Sequence, residues 1–455
     1  MSSILLSRRY SLGRTAALLV PGGILALLSV TVAGVMIPSM RAEFPAAGGA
    51  VPWVTTVYLL VSATAIPVGG WAGTRFGVRR TWLIALAVFA AGALASAVAP
   101  DVSLLIAARA LQAAGGGVLE PLMLTALARA AGPARMGRVM GGVAAAMSIG
   151  PLAGPALAAA VVTVAGWRTV FLVIAAVAVV LLACAALWLP AGADAEGDGS
   201  RRLDGVGLLL LSAGAVGLLV ALGQSVLWAG IVGVAGLGGA IAWMRRHGDE
   251  ALIPPRTFRQ RGFGPAVVIM VGLGAAIFPL FFAVPQYLGA AVGVPVVAAG
   301  SLLIPYGIGT VIAMPVVGAL SDRIAARRLV TVGAVVAALG FVGLVVAPSL
   351  PVSPVARGAL LVGSLLLVGL GLGAVGSPTV ATLYRVLPPD LLGTGSTVLF
   401  VGNQLGGAAG VAVVAALIGS DGWTVADGAV PLLLPLAAVA LIAVLAQRLP
   451  APTPA

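Results

Sequence analysis

Fourteen stretches of about twenty apolar residues run along this chain, centred on 16–38, 51–73, 81–100, 103–128, 138–163, 168–190, 205–225, 227–244, 263–288, 296–320, 328–348, 355–383, 392–417 and 428–447. Each is long enough to carry an α-helix across about 30 Å of hydrocarbon. Lipid offers the backbone no hydrogen-bond partner but itself, so helix is the conformation expected. Composition agrees: of 455 residues 61% are hydrophobic and 8% charged, whereas a soluble surface carries roughly a quarter to a third charge. The expected fold class is an all-α integral membrane protein with fourteen transmembrane helices. Arg8, Arg9 and Arg14 precede the first apolar run as in a secretory signal. That run is too long and is followed by too many others, so an uncleaved first span is expected.

The formal charge is +12, from 25 basic residues, all arginine, against 13 acids. No arginine-rich run with interleaved aromatics occurs, so nucleic acid is not an expected partner; the arginines recur in short segments between apolar stretches, where they encode topology. With the N-terminus inside, Arg75, Arg79 and Arg80, then Arg129, Arg135 and Arg138, then the Arg245 to Arg261 cluster, then Arg323, Arg327 and Arg328 all fall on the cytoplasmic side. Only Arg41, Arg168 and Arg357 fall outside. A multi-pass plasma-membrane protein with both termini cytoplasmic follows. The one cysteine, Cys184, permits no intramolecular disulfide and no cysteine-based metal site. The one histidine, His247, sits in Arg245-Arg246-His247 and reads as solvated. Neither a metal, a cofactor nor a catalytic residue is expected. A phosphate-binding Gly-x-x-x-x-Gly-Lys loop is absent, as is lysine itself, which argues against an ATP-driven pump. No paired His and carboxylate cluster points to an enzyme.

The polar segment 191–204 separates six spans (1–190) from the rest and reads as a flexible cytoplasmic linker. Two further spans (205–244), a basic loop (245–262), a second group of six spans (263–447) and a tail (448–455) follow. A repeat supports the division: Pro67-Val-Gly-Gly-Trp-Ala-Gly-Thr-Arg-Phe-Gly-Val-Arg-Arg80 matches Pro315-Val-Val-Gly-Ala-Leu-Ser-Asp-Arg-Ile-Ala-Ala-Arg-Arg328, pairing Gly70 with Gly318, Thr74 with Asp322 and Arg75 with Arg323. Duplicated halves that rock about a central site are the usual construction of secondary transporters.

Gly70-x-x-x-Thr74-Arg75-x-Gly77-x-Arg79-Arg80 resembles the cytoplasmic loop motif of the major facilitator superfamily. Gly141, Gly150, Gly154 and Pro155 resemble its antiporter motif of spaced glycines, and Arg109-Ala-Leu-Gln112-Ala-Ala-Gly115 resembles its fourth-span element. Trp53-Val-Thr-Thr-Val-Tyr58 and Gly166-Trp-Arg168 are similar to sequences of the fourteen-span drug:proton antiporters. The resemblance covers nearly the whole chain. It implies two six-helix bundles plus two extra central spans, and gating at Gly70, Thr74, Arg75, Arg79, Gly318, Asp322 and Arg323. It also implies a pivot at Gly150, Gly154 and Pro155, where spaced glycines let helices approach. The chain departs from the family in having Thr74 where the loop motif has its acid, and Ser29 and Gly34 where the first span often has Asp and Asn.

Glu120 lies in the middle of the apolar stretch Leu104 to Leu127, whereas every other acid lies at or near the end of such a stretch. An ionisable group at that depth is costly and is usually kept for function. At 100° per residue Arg109, Gln112, Gly116 and Glu120 fall within about 60° of one another, with Arg109 roughly 16 Å from Glu120 along the axis. This stripe is expected to face a water-filled cavity. Glu120 and Arg109 are then candidates for proton coupling or cation binding, against a plain structural role for each. Pro121 frees the carbonyl of Gly117 from its helical bond. Tyr58, Gln112, Gln286, Tyr306, Asn403 and Gln404 are candidate lining groups, against ordinary helix–helix hydrogen bonds. The expected activity is secondary transport, with proton-coupled efflux of a small apolar or amphipathic compound leading; drug or antibiotic resistance rests on the resemblance alone. A proton-independent uniporter or importer, or a scaffold or sensor that moves nothing, stands as the alternative. The expected partners are a small-molecule substrate, protons and the bilayer, with the protein a monomer.

Overall fold

The computed structural model describes residues 12–45, 49–131, 142–143, 146–147, 149–189, 204–224, 227–292, 301–321, 323–388, 391–418 and 430–449. Among them are fourteen α-helices of seventeen residues or more: α1 Leu12–Glu43, α2 Trp53–Phe76, α3 Val78–Ala97, α4 Val102–Ala131, α5 Ile149–Ala165, α6 Trp167–Trp188, α7 Gly205–Gln224, α8 Leu227–His247, α9 Phe263–Val292, α10 Ile304–Leu320, α11 Ala326–Val346, α12 Pro354–Val386, α13 Leu392–Ile418 and α14 Val430–Ala446. Each falls on one of the fourteen apolar stretches. Ten have the length and apolar character to cross a membrane, and Gly205–Leu218, Ile304–Leu320 and Pro431–Ala446 are shorter apolar helices. Large apolar side chains such as Val180 and Leu187 on α6 and Trp228 and Ile231 on α8 point outward, as lipid-facing surfaces do.

Some helices follow each other with a single residue between them. Gly77 (φ 86°) joins α2 to α3 and Gly166 (φ 79°) joins α5 to α6, a backbone conformation that a side chain would strain. The helices pack in two sets with one plan. In the first, α4 lies against α2, α3 and α1, α3 against α6, and α1 against α5 and α6. In the second, α12 lies against α10, α11 and α9, α11 against α14, and α9 against α13 and α14. Each of these pairings of helix n in the first set recurs for helix n+8 in the second. The sets meet where α2 touches α13, α5 touches α10 and α1 touches α9. The α7–α8 hairpin lies beside the first of these seams, with Leu211 of α7 against Ala63, Ile66 and Val401.

Close crossings repeat residue by residue. A Cβ on Gly115 would stand 2.6 Å from the backbone nitrogen of Phe89, with the carbonyl of Ala85 also in its way; a Cβ on Gly371 would stand 2.5 Å from the carbonyl oxygen of Gly333 and also meet Ala337. Gly92 lies on Gln112 as Gly340 lies on Val368, and Gly117 lies on Ser62 as Gly373 lies on Thr310. This aligns α2 and α3 with α10 and α11 at the spacing of the sequence repeat, and it makes Tyr306 the counterpart of Tyr58. It also fixes the counterpart of each α4 residue on α12. The two sets come into backbone contact at Gly34, where a Cβ would stand 2.6 Å from the carbonyl oxygen of Phe281 on α9.

These crossings generate a stability test. Gly115→Val and Gly371→Val force backbone against backbone and are expected to cost about 1–3 kcal/mol each or to prevent folding. Gly363→Ala, with nothing within 4 Å of its added carbon, is expected to be neutral or to gain up to about 1 kcal/mol. Thermal midpoints and monodisperse yield in detergent check this; a Gly115→Val protein as stable as the wild type would show that α3 and α4 are not in backbone contact.

Candidate functional site

The fourth helix carries the charge, and its polar stripe is divided. Arg109 and Gln112 are fully buried and bonded to protein. The Arg109 guanidinium donates through Nε to the Val54 carbonyl (3.2 Å), through Nη1 to Gln112 Oε1 (2.6 Å) and through Nη2 to the Ser29 carbonyl (3.0 Å). Gln112 Nε2 donates in turn to Ser29 Oγ at 3.3 Å. Two rings cover the cation, with Arg109 Cζ 4.3 Å from the centre of Tyr58 and 5.5 Å from that of Phe171. Tyr58 is held by its own hydroxyl, which donates to the Ala26 carbonyl at 3.1 Å, and by Gly116, where any side chain would strike that hydroxyl. One arginine thus ties α1, α2, α4 and α6 together. The donors on all three guanidinium nitrogens find oxygen acceptors, which is how a buried cation without a carboxylate is tolerated.

Arg109 and Gln112 therefore do not face an open cavity here, in contrast to the single water-lined stripe expected from the wheel geometry. A helical wheel gives direction but not what stands opposite: α1 and α2 close over the upper part of the stripe. Glu120, three turns further on, differs. It is half-buried while its neighbours Gly116, Leu119, Leu122 and Met123 are buried. Among the described residues no hydrogen bond or ion pair reaches its carboxylate. Pro121 follows it inside α4, and Thr125 Oγ1 donates to the Pro121 carbonyl at 2.8 Å.

The remaining candidates are dispersed. In the second set Tyr306 is buried with its ring edge-on to Phe281 (5.4 Å). Gln286 turns back to the Phe282 carbonyl of its own helix (2.9 Å), and Asn403 Nδ2 donates across to Met270 on α9 (3.1 Å). Gln404 is half-buried beside it on α13. Gly150 and Gly154 are buried against Ile24, Leu28 and Thr31 of α1, and Pro155 is buried within α5. Arg79 Nη2 donates to the Ala186 carbonyl at the end of α6 (2.6 Å). Arg75 lies exposed near the Phe76 ring, and Arg323 is exposed beyond α10. Gly70 has open space beside it, while Gly318 faces Ser377 at 3.8 Å. The side chain of Thr74, together with Asp322 and Gly141, lies outside the described residues.

Three features were not read from the sequence. Ser29 supplies two acceptors to the buried network instead of an acid. Gly34 is where α1 lies on α9. A second glycine stripe, Gly402, Gly406 and Gly410 on α13, packs against Val267, Val271 and Ala275 of α9, the counterpart of Gly150 and Gly154 on α1. Its spacing of four was visible in the sequence, as was the shared offset of Tyr58 and Tyr306.

Comparison with known proteins agrees with this architecture. The sequence profile described as the Major Facilitator Superfamily matches residues 19–411 and 266–455. The chain belongs to that superfamily. It is 34% identical over 417 residues to the multidrug resistance protein B homolog of Mycobacterium tuberculosis, covering 89% of this chain and 76% of that protein. To the cephamycin export protein CmcT of Amycolatopsis lactamdurans it is 32% identical over 408 residues, covering 87% and 83%. The crystal structure of a D-xylose–proton symporter superposes with a TM-score of 0.71 at 16% identity, covering 97% of this chain and 98% of the other, a likeness of fold. As a member of the superfamily the chain is a multi-pass membrane transporter.

The buried network generates a second prediction. Arg109→Lys keeps the charge but loses the planar fork, leaving Gln112 Oε1 and two carbonyls short of donors. It is expected to destabilise the protein by about 3 kcal/mol, whereas Ser29→Ala is expected to cost about 1 kcal/mol. Thermal unfolding in detergent separates them; equal midpoints for Arg109→Lys and wild type would show that the network does not hold the helices.

Proposed function

We propose that this transporter exports small apolar or amphipathic compounds, drugs or toxic metabolites, in exchange for protons by alternating access. In this reading all fourteen helices cross the plasma membrane with both termini cytoplasmic. Two bundles, within 1–190 and 263–447, rock about the α1–α9 crossing, and α7–α8 (205–244) stays at the edge. The observation that carries the reading is Glu120: a half-buried acid in the middle of a candidate span, its carboxylate without a hydrogen bond or ion pair among the described residues. A group so placed is a functional-site hypothesis by default, and an acid that holds or releases a proton as access changes sides is what exchange needs. Arg109, by contrast, is committed to shape. The direction, outward, is supported by the name of the Amycolatopsis relative, a cephamycin export protein.

A second reading, a carrier that uses no protons, is favoured by Ser29. At that place an acid would lie against Arg109, and here a hydroxyl takes a hydrogen bond from Gln112 instead. Substrate-driven proton movement in proteoliposomes decides between the two.

The deciding experiment compares an efflux-deficient host expressing the wild type or Glu120→Gln at matched membrane levels against a broad compound panel. The expected outcome is resistance conferred by the wild type, falling at least tenfold toward the empty-vector level in Glu120→Gln, with Glu120→Asp retaining part. Equal protection by Glu120→Gln would make Glu120 structural. Protection by neither protein would favour import, a narrow cargo or a protein that moves nothing.

A further inference from the structure

The loop between α8 and α9 is built rather than slack. One carboxylate organises it: Asp204 Oδ1 accepts from the Gly207 amide (2.8 Å) and from Trp243 Nε1 (2.9 Å), and Oδ2 accepts from the Leu252 amide (2.7 Å). The start of α7, the end of α8 and the start of the loop are thereby fixed to one another. His247, partly exposed, stacks on Trp243 with ring centres 3.7 Å apart. Two 3-10 turns follow, Gly248–Glu250 and Pro255–Thr257. Arg256 Nε bridges them to Asp249 Oδ1 at 3.0 Å. Ala251, Ile253 and Thr257 are buried beneath, and Phe258 packs edge-on against Phe263 at 5.4 Å.

This rigid loop turns one kind of chemistry outward. Arg245, Arg246, Arg256, Arg259 and Arg261 are all exposed, and only Asp249 and Glu250 oppose them over 245–262. Phe258 stands among them, 47% exposed. The cluster joins the C-terminal end of α8 to the N-terminal end of α9, and both helices are long and apolar enough to cross a membrane. The arginines therefore stand at the boundary between hydrocarbon and water. Guanidinium groups pair phosphate oxygens in a planar fork, and an exposed aromatic ring is at home at headgroup depth.

We propose that this loop is a docking surface for the phosphodiester headgroups of anionic phospholipids. Position favours lipid over a soluble partner, because headgroups surround the end of α8 at all times while its flank, with Ile231, Val234 and Ile241 outward, lies in the acyl chains. Each arginine near such a surface contributes about a fivefold preference for anionic lipid. The inference needs only the crossing of α8 and α9, and is independent of Glu120 and of the direction of transport.

The test uses the purified full chain exchanged from detergent into equal amounts of phosphatidylglycerol and phosphatidylcholine, with the co-purifying lipid quantified by mass spectrometry. The wild type is expected to enrich phosphatidylglycerol. Arg245→Gln/Arg246→Gln/Arg259→Gln/Arg261→Gln is expected to lose at least tenfold of that preference, while Arg327→Gln/Arg328→Gln at another loop loses little. Asp249→Asn/Glu250→Gln, which removes no basic group, is expected to raise the preference and decides the matter if the quadruple variant fails to fold. Absence of enrichment in the wild type, or enrichment unchanged in both loop variants, overturns the proposal. So does full displacement of the lipid by excess inorganic phosphate, which would mark a site for soluble anions.

Discussion

In hydrocarbon no solvent drives apolar helices together, so this fold depends on crossings where one helix backbone lies directly on another. Gly115 on Ala85 and Phe89, Gly92 on Gln112 and Gly117 on Ser62 bring α4 against α2 and α3 without an intervening side chain. Dispersion contacts are individually small and fall away quickly with a gap, so a close approach of this kind contributes what burial from water contributes in a soluble core. The same three crossings recur between α12 and its neighbours. The two halves are alike first in where their glycines stand.

On that frame Arg109 adds a constraint of another kind. A cation sealed from water is sustained only where acceptors converge on it, and those acceptors, at Ser29, Val54 and Gln112, come from three different helices. Moving α1 or α2 relative to α4 would strip the guanidinium of partners. The first half is thereby stiffened internally, while the contact between halves at Gly34 and Phe281 uses backbone and no charge. Relative motion is mechanically easiest where no buried polar group has to be exposed, and the α1–α9 crossing meets that condition.

Much of this was legible in the sequence, and what was not has a common cause. Apolar length located all fourteen helices, and the 67–80 and 315–328 repeat foretold the two sets of pairings. The residues Arg109, Gln112 and Glu120 were legible as a stripe, but hydropathy and periodicity report depth and direction and leave the opposing surface unknown. Whether a stripe is sealed or open depends on Ser29, Tyr58 and Val54, distant in sequence. Gly34 looked like a missing asparagine because its chemistry was considered without the neighbour it admits.

The register fixed by the glycine crossings sharpens what the duplication does and does not share. On α12 the counterparts of Arg109, Gln112 and Glu120 are Leu365, Val368 and Gly376, and the first two are fully buried. Among the described residues the second half keeps Tyr306 as the counterpart of Tyr58 but has no charged group at the positions equivalent to Arg109 and Glu120. Its candidate groups, Gln286, Asn403 and Gln404, are neutral, and two of them are engaged with backbone carbonyls. Among the described residues, the charged groups at this level of the helices, Arg109 and Glu120, belong to the first half. The second half can respond to a charge-dependent step there through the α1–α9, α2–α13 and α5–α10 contacts. Two halves alike in their helix crossings but unlike in the charges of their described residues are compatible with the exchange proposed above.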